Sequence, residues 1–208
     1  MPSLGRLHLI TDTREGRDPL AVVRAALTVA HADLVVQVRV EDSATDREAY
    51  DLTRRVLALC ASYRATCLVN DRLHVALAVG AAGGHVGADD LPVAAARRVL
   101  GPTGVLGATA RAPGPACEAV AAGASYLGVG PCHTTSTKTG LPEPIGPAGV
   151  RAVVDAVDVP VIAIGGVTAA RVPALRAAGA YGVAVVGAVS AAADPARATA
   201  ELIEALTC

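Results

Sequence analysis

The feature that most constrains this chain is one unit repeated from end to end. A short run rich in β-branched residues leads into an Ala- and Arg-rich stretch, which closes on a glycine or a turn. The strand runs are Leu7–Thr11, Leu34–Arg39, Thr66–Val69, Gly84–Val86, Val105–Ala108, Tyr126–Val129, Val159–Ile164 and Gly182–Val186. Between them, apolar residues recur at helical spacing, for example over Leu20–Val29, Asp46–Ala61, Pro92–Leu100 and Pro195–Leu206. Asp18, Thr168 and Asp194 stand where N-caps belong. Strands that alternate with helices pair in parallel through right-handed crossovers. Eight such units predict a closed barrel rather than an open sheet. The expected fold is therefore α/β, a single (β/α)8 TIM barrel forming one domain over residues 1–208.

Composition agrees with this fold and excludes several functions. Hydrophobic residues make up 52% of the chain, with four Tyr, no Phe and no Trp. That suits strands buried on both faces, and it leaves no aromatic platform for stacking bases. The net charge of −1 gives no basic surface for nucleic acid or an anionic membrane, so any anion site must be local. No apolar run is long enough to span a bilayer, and MPSLGRLHLITD lacks a signal peptide's apolar stretch. A cytoplasmic protein is expected. The five cysteines, Cys60, Cys67, Cys117, Cys132 and Cys208, show no CxxC spacing and read as small hydrophobes. Cys132 is the exception, because it lies in a loop with functional character.

Chemistry in this fold sits where strands end, at the C-terminal rim. That filter leaves Thr11 and Asp12, then Gln37, Arg39 and Glu41, Asn70 and Asp71, Asp89 and Asp90, Thr109 and Arg111, the His133–Lys138 loop, Gly165 and Gly166, and Gly187. Gly165-Gly166 and Gly187 follow the last two strands, where backbone N–H groups can approach a phosphate; the alternative is a tight turn only. The loop GPCHTTSTKTG gathers hydroxyls around Lys138, good donors to phosphate oxygens, although such a loop can equally be a solvated connection. Asp71 and Asp90 are hard oxygen ligands of the kind that hold Mg²⁺ with substrate phosphates, and each could instead cap the helix that follows it. Gln37 and Arg39, two apart on one strand, should both face the barrel mouth. The arginine then needs an anion there: a substrate phosphate, Glu41 or an aspartate. His85 reads as a satisfied core or rim histidine.

Taken in order, LITD at Leu9–Asp12, QVR at Gln37–Arg39, VND at Val69–Asp71, HVGADDLPV at His85–Val93, GVGPCHTTSTK at Gly128–Lys138, AIGGVT at Ala163–Thr168 and VAVVGAVS at Val183–Ser190 resemble the thiamine phosphate synthase family, which also includes a thiazole tautomerase. The resemblance runs along nearly the whole chain. It implies a transferase in thiamine biosynthesis that acts on small phosphorylated molecules with Mg²⁺ as cofactor, and a homo-oligomer. A pyrimidine methyl pyrophosphate would lose pyrophosphate to give a carbocation, which the nitrogen of a thiazole phosphate captures. The resemblance implies Asp71 and Asp90 as metal ligands, and Arg39, Asn70 and Lys138 on the pyrophosphate, with Arg39 and Lys138 the catalytic cations. It implies Gln37 on the pyrimidine with Thr109 near it. Thr135, Ser136, Thr137, the Gly166 backbone, Val186 and Gly187 would hold the thiazole phosphate.

Four positions depart from the family pattern. Glu41 replaces the lysine of QxRxK and sets an anion beside a polyanionic substrate. Ala88 replaces a glutamine, Arg111 a histidine, and Gly187 a serine. Two other readings stay open within the family. A tautomerase would carry its histidine near Pro131, which cannot accept a proton, with His133 close by. A paralogue that binds thiazole phosphate without catalysis would account for Glu41. A different phosphate-handling barrel would leave the TSTK loop unexplained.

Overall fold

A computed structural model of the chain describes residues 4–135, 140 and 142–207. Eight parallel strands close on themselves in sequence order. They are β1 (Leu7–Ile10), β2 (Leu34–Val38), β3 (Thr66–Asn70), β4 (Gly83–Val86), β5 (Val105–Ala110), β6 (Tyr126–Val129), β7 (Val161–Ile164) and β8 (Gly182–Val185). The helices are α1 (Pro19–Ala30), α2 (Asp46–Tyr63), α3 (Leu73–Val79), α4 (Val93–Leu100), α5 (Pro113–Ala121), α6 (Gly146–Val154), α7 (Val172–Ala177), α8 (Gly187–Ser190) and α9 (Pro195–Thr207). Every expected strand is present, with ends moved by two residues at most and β6 unchanged. Val159 and Pro160 precede β7 rather than belong to it.

The strands alternate between two apolar environments. On β1, Leu7 and Leu9 join the core between strands and helices, while Ile10 joins Val35, Leu68, Val105, Tyr126, Ile162 and Ala184 inside the barrel. Both faces are dry, so each fully buried Leu, Ile or Val contributes on the order of 1.5–3 kcal/mol. Asp18 caps α1 by accepting from the Leu20 and Ala21 N–H groups at 3.0 Å, and Asp194 accepts from Arg197 N at 3.0 Å. Thr168 does not cap: it precedes a 3-10 turn, Ala169–Arg171, without a side-chain bond. Among the described residues no helix is long and apolar enough to cross a membrane.

Register places the site. His85 on β4 pairs with Gly107 on β5, and Gly107 pairs with Tyr126 on β6. A Cβ at Gly107 would lie 2.2 Å from Tyr126 Cζ and 2.3 Å from His85 Nδ1. The missing side chain is what lets the histidine and the tyrosine meet inside the barrel.

Candidate active site

Beneath the C-terminal rim lies a narrow chamber of about 40 Å³. Its polar wall is His8, Gln37, His85, Thr109 and Tyr126; Ile10, Ile162, Ile164 and Ala184 form the apolar wall. The Tyr126 hydroxyl accepts from Gln37 Nε2 at 3.4 Å and lies 3.1 Å from His85 Nδ1. His85 Nε2 lies 3.0 Å from Thr109 Oγ1. Burial pushes His85 down to about 4, against the opposing charge of Asp90. Burial pushes His8 down to about 3, helped by His85 and opposed by a bond to the Gly5 backbone. Burial raises the Tyr126 hydroxyl, with the Gln37 bond acting the other way. At neutral pH the chamber wall is therefore polar and uncharged.

Gln37 faces this chamber as expected, but Arg39 does not line it. β2 ends at Val38, and Arg39 belongs to the loop beyond. Its backbone is tied to Thr11, whose Oγ1 accepts from Arg39 N at 2.8 Å and donates to Arg39 O at 2.6 Å. The Arg39 guanidinium finds the second of its expected partners, Glu41, at 3.8 Å. Glu41 N in turn donates to Thr13 Oγ1 at 3.1 Å. The Glu41 side chain borders an open hollow of about 420 Å³ with Arg14, Ser43 and Leu52, outside the barrel chamber. Asp12, another rim residue, holds Arg14 through bonds of 2.8 and 2.7 Å and accepts from Ser190 Oγ at 2.9 Å. The Arg14 bonds hold its carboxyl down near about 2.

Asn70 and Asp71 stand at the end of β3, and Asp90 lies in the loop after the adjacent β4. Asn70 pairs in register with His85, and Asp71 N donates to His85 O at 2.9 Å. Asp71 adopts a left-handed backbone, φ 59°, which turns the chain sharply off the strand. Asp90 Oδ2 accepts from Gly87 N at 2.7 Å, which folds the carboxylate back over the end of β4. Neither aspartate is the helix cap that was its other reading. Arg72 stands at the N-cap of α3 and Pro92 at that of α4, both without a side-chain bond.

Across the rim, the loop after β6 leans on the loop after β7. Cys132 N donates to Ile164 O at 2.8 Å and His133 N to Gly165 O at 3.0 Å. Gly166 has φ +61°, and a Cβ there would sit 2.5 Å from Thr134 O. Only glycine fits this crossing without strain. The Gly166 carbonyl accepts from Arg171 Nη1 at 2.5 Å. Val186 stands before α8, which Gly187 opens. Thr135 is half-buried in the same region. Ser136, Thr137 and Lys138 lie outside the described residues.

Three other candidates acquire definite environments. Cys132 is buried, donates to Val129 O at 3.3 Å, and is pushed up to about 11 by burial, so it is a protonated structural thiol. Arg111 donates from Nη2 to Glu143 O at 2.6 Å. His133 is held below its ordinary value by burial and by the Arg171 charge. The residues missed from sequence are His8 and Tyr126. Both sit in strand runs rather than after them, so a filter that kept only strand ends discarded them. The signal was available in LHLI, where a histidine alternates with two outward leucines and must point into the barrel.

Comparison with known proteins bears on this arrangement. A family model described as thiamine monophosphate synthase matches residues 7–189. The thiamine-phosphate synthase of Salinispora arenicola is 77% identical over 208 residues, covering all of both chains. That of Salinispora tropica is 76% identical over 207 residues, again covering both in full. Among solved structures, a thiamine phosphate pyrophosphorylase from Pyrococcus furiosus superposes with a TM-score of 0.87 at 34% identity, covering 97% of this chain and 95% of that one.

Proposed function

The chain belongs to the thiamine monophosphate synthase family, and from that membership we propose how its rim and chamber carry out the family's reaction. It is a transferase that joins a pyrimidine methyl pyrophosphate to a thiazole phosphate, giving thiamine phosphate and pyrophosphate. The tautomerase and binding-only readings are not favoured, since the relatives of highest identity given above are synthases. The observation that carries the assignment of roles is the rim itself. Two carboxylates end adjacent strands on one side of an uncharged chamber, and glycine-lined loops face them from the other.

The carbon–oxygen bond to pyrophosphate breaks with both electrons leaving on oxygen. The methylene cation is then captured by the thiazole nitrogen. No protein nucleophile is needed, so catalysis falls to charge stabilisation and positioning. Arg39, Asn70 and Lys138 take the departing pyrophosphate in this reading. Gln37 holds the pyrimidine in the chamber, where Thr109 is tied to His85. Thr135, Ser136, Thr137, the Gly166 backbone, Val186 and Gly187 hold the thiazole phosphate.

The donor set fits Mg²⁺. Asp71 and Asp90 offer hard oxygens from neighbouring strand ends, and among the described residues no group of three or more His, Cys, Asp or Glu could hold a metal. Two carboxylates completed by substrate phosphate oxygens is a usual way of binding this ion, in place of an all-protein cage. When bound, the ion would neutralise charge developing on the leaving pyrophosphate. We further read the enzyme as one cytoplasmic domain that assembles with copies of itself.

The deciding experiment supplies the purified protein with both substrates, with and without Mg²⁺. Pyrophosphate release is followed and thiamine phosphate identified by mass. Metal-dependent product is expected. Release that persists in excess chelator would remove the metal from this reading, and no product at all would remove the synthase assignment.

A further inference from the structure

His8 is 1% exposed, on β1, and it forms part of the chamber wall. Its Nε2 has no hydrogen-bond partner among the described residues. A buried polar atom left so is uncommon, and it carries a desolvation penalty that only a partner offsets. The Gly5 backbone, just before β1, favours a proton on the ring. With Nε2 partnerless, we assign the neutral ring's one proton to Nδ1. A neutral imidazole with its proton on Nδ1 carries a lone pair on Nε2. The ring packs edge-on to Tyr126, centroids 5.2 Å apart at 61°, and this fixes its orientation.

The chamber wall therefore includes a buried ring nitrogen without a partner among the described residues. No charged side chain lines it. At the usual 10–15 Å³ per water-sized occupant it holds about three such volumes, enough for the edge of one small planar ring. Its apolar wall suits a ring face and its polar wall a ring edge. The pyrimidine of thiamine carries one donor group, its exocyclic amino group; its ring nitrogens are acceptors. We propose that His8 binds the pyrimidine substrate directly, its Nε2 accepting a hydrogen bond from the exocyclic amino group.

This rests on the synthase reading above and adds to it a contact that grows during the reaction. As the pyrophosphate leaves, positive charge spreads from the methylene carbon through the ring to the amino nitrogen. Its N–H becomes a stronger donor, and a fixed neutral acceptor there stabilises the cation more than the ground state. A lysine or a protonated ring at this position would oppose it. Protonated on Nδ1, the neutral ring keeps its lone pair on Nε2 for the substrate.

The test compares two substrates in two enzymes. One substrate is the aminopyrimidine methyl pyrophosphate, the other its analogue with hydrogen in place of the amino group. The analogue reacts more slowly in any enzyme, and that intrinsic loss cancels when His8→Phe is compared with the wild type. The preference for the amino substrate, read as a ratio of kcat/KM values, should fall by about ten- to a hundredfold in His8→Phe, the range for one hydrogen bond to a developing charge. The KM for thiazole phosphate should stay unchanged. An undiminished preference in an active His8→Phe overturns the proposal while leaving the synthase reading intact. A wild type that makes no thiamine phosphate from the amino substrate overturns both. Should His8→Phe fail to fold, the wild-type protein decides by 15N NMR. The His8 Nε2 resonance should move when the aminopyrimidine alcohol binds and stay put with the deamino alcohol; the same response to both overturns the proposal.

Discussion

The Nδ1 of His85 lies 3.1 Å from the Tyr126 hydroxyl, across a glycine that belongs to the strand between them. The hydroxyl also receives Gln37 Nε2, so one oxygen ties β2, β4 and β6 together inside the barrel. Tyr126→Phe keeps the ring and removes that oxygen. It leaves His85 and Gln37 each short of a buried partner, at a cost of about 1–3 kcal/mol per group. The urea midpoint should fall with the slope unchanged, and the KM for the pyrimidine substrate should rise more than that for the thiazole phosphate. Equal effects on the two would show that Tyr126 serves the fold alone.

Acid should weaken the fold well before its carboxylates titrate. His8 is held at about 3 and His85 at about 4, both by burial first. Below about pH 6.5 the unfolded chain binds protons that these rings refuse. Stability therefore falls as pH drops, by about 1.4 kcal/mol per pH unit for each histidine, until pH approaches the folded values. Asp12 adds a second loss lower down. Its depressed carboxyl stabilises the fold above about pH 4, and that contribution disappears as pH falls toward 2. Thermal melts across this range should show a steady decline from near neutrality, with a shallower slope in His8→Phe. A flat profile down to about pH 5 would mean that the rings are not held neutral.

Asp71→Ala and Asp90→Ala should each lower Mg²⁺-dependent turnover by on the order of a hundredfold or more, the scale of several kcal/mol of charge stabilisation. Asp90 has a second task, because its Oδ2 accepts from Gly87 N. Asp90→Asn retains an oxygen for that bond and separates the two roles. If it matches Asp90→Ala in turnover while matching the wild type in melting temperature, the loss belongs to the metal. Titration of rate against Mg²⁺ should shift to higher concentration in all three variants. An unchanged titration would remove these residues from the metal site.

The barrel was readable because each of its units is locally unambiguous. Val161–Ile164 and Gly182–Val185 are short β-branched runs, and the capping residues Asp18 and Asp194 mark where helices begin. The rim could be read too, since residues just past a strand have one place to go. The chamber was not. In a barrel buried on both faces, hydropathy does not distinguish inside from outside, so His8 and Tyr126 look like ordinary strand residues until register places them. Gly107 is the same case, since its role exists only between His85 and Tyr126. Arg39 lies one residue past the end of β2, where strand alternation no longer fixes the direction of a side chain.

Glu41 is the residue at which this chain departs most from the resemblance, and its surroundings give the departure a direction. Its carboxylate lies 3.8 Å from Arg39, with the two side chains 41% and 28% exposed. A pair so open to water contributes little to folding, so Glu41→Lys should leave the melting temperature nearly unchanged. Its effect on charge is larger in consequence. Arg39 loses an anion that competes with pyrophosphate, Arg14 loses a favourable neighbour, and the rim gains a cation. The KM for the pyrimidine pyrophosphate and the inhibition constant of free pyrophosphate should both fall, and the change should shrink as salt is raised. Glu41→Gln, which removes the anion without adding a cation, should lie between. A large loss of activity in both variants would reverse the interpretation and show that Glu41 holds Arg39 in its working position.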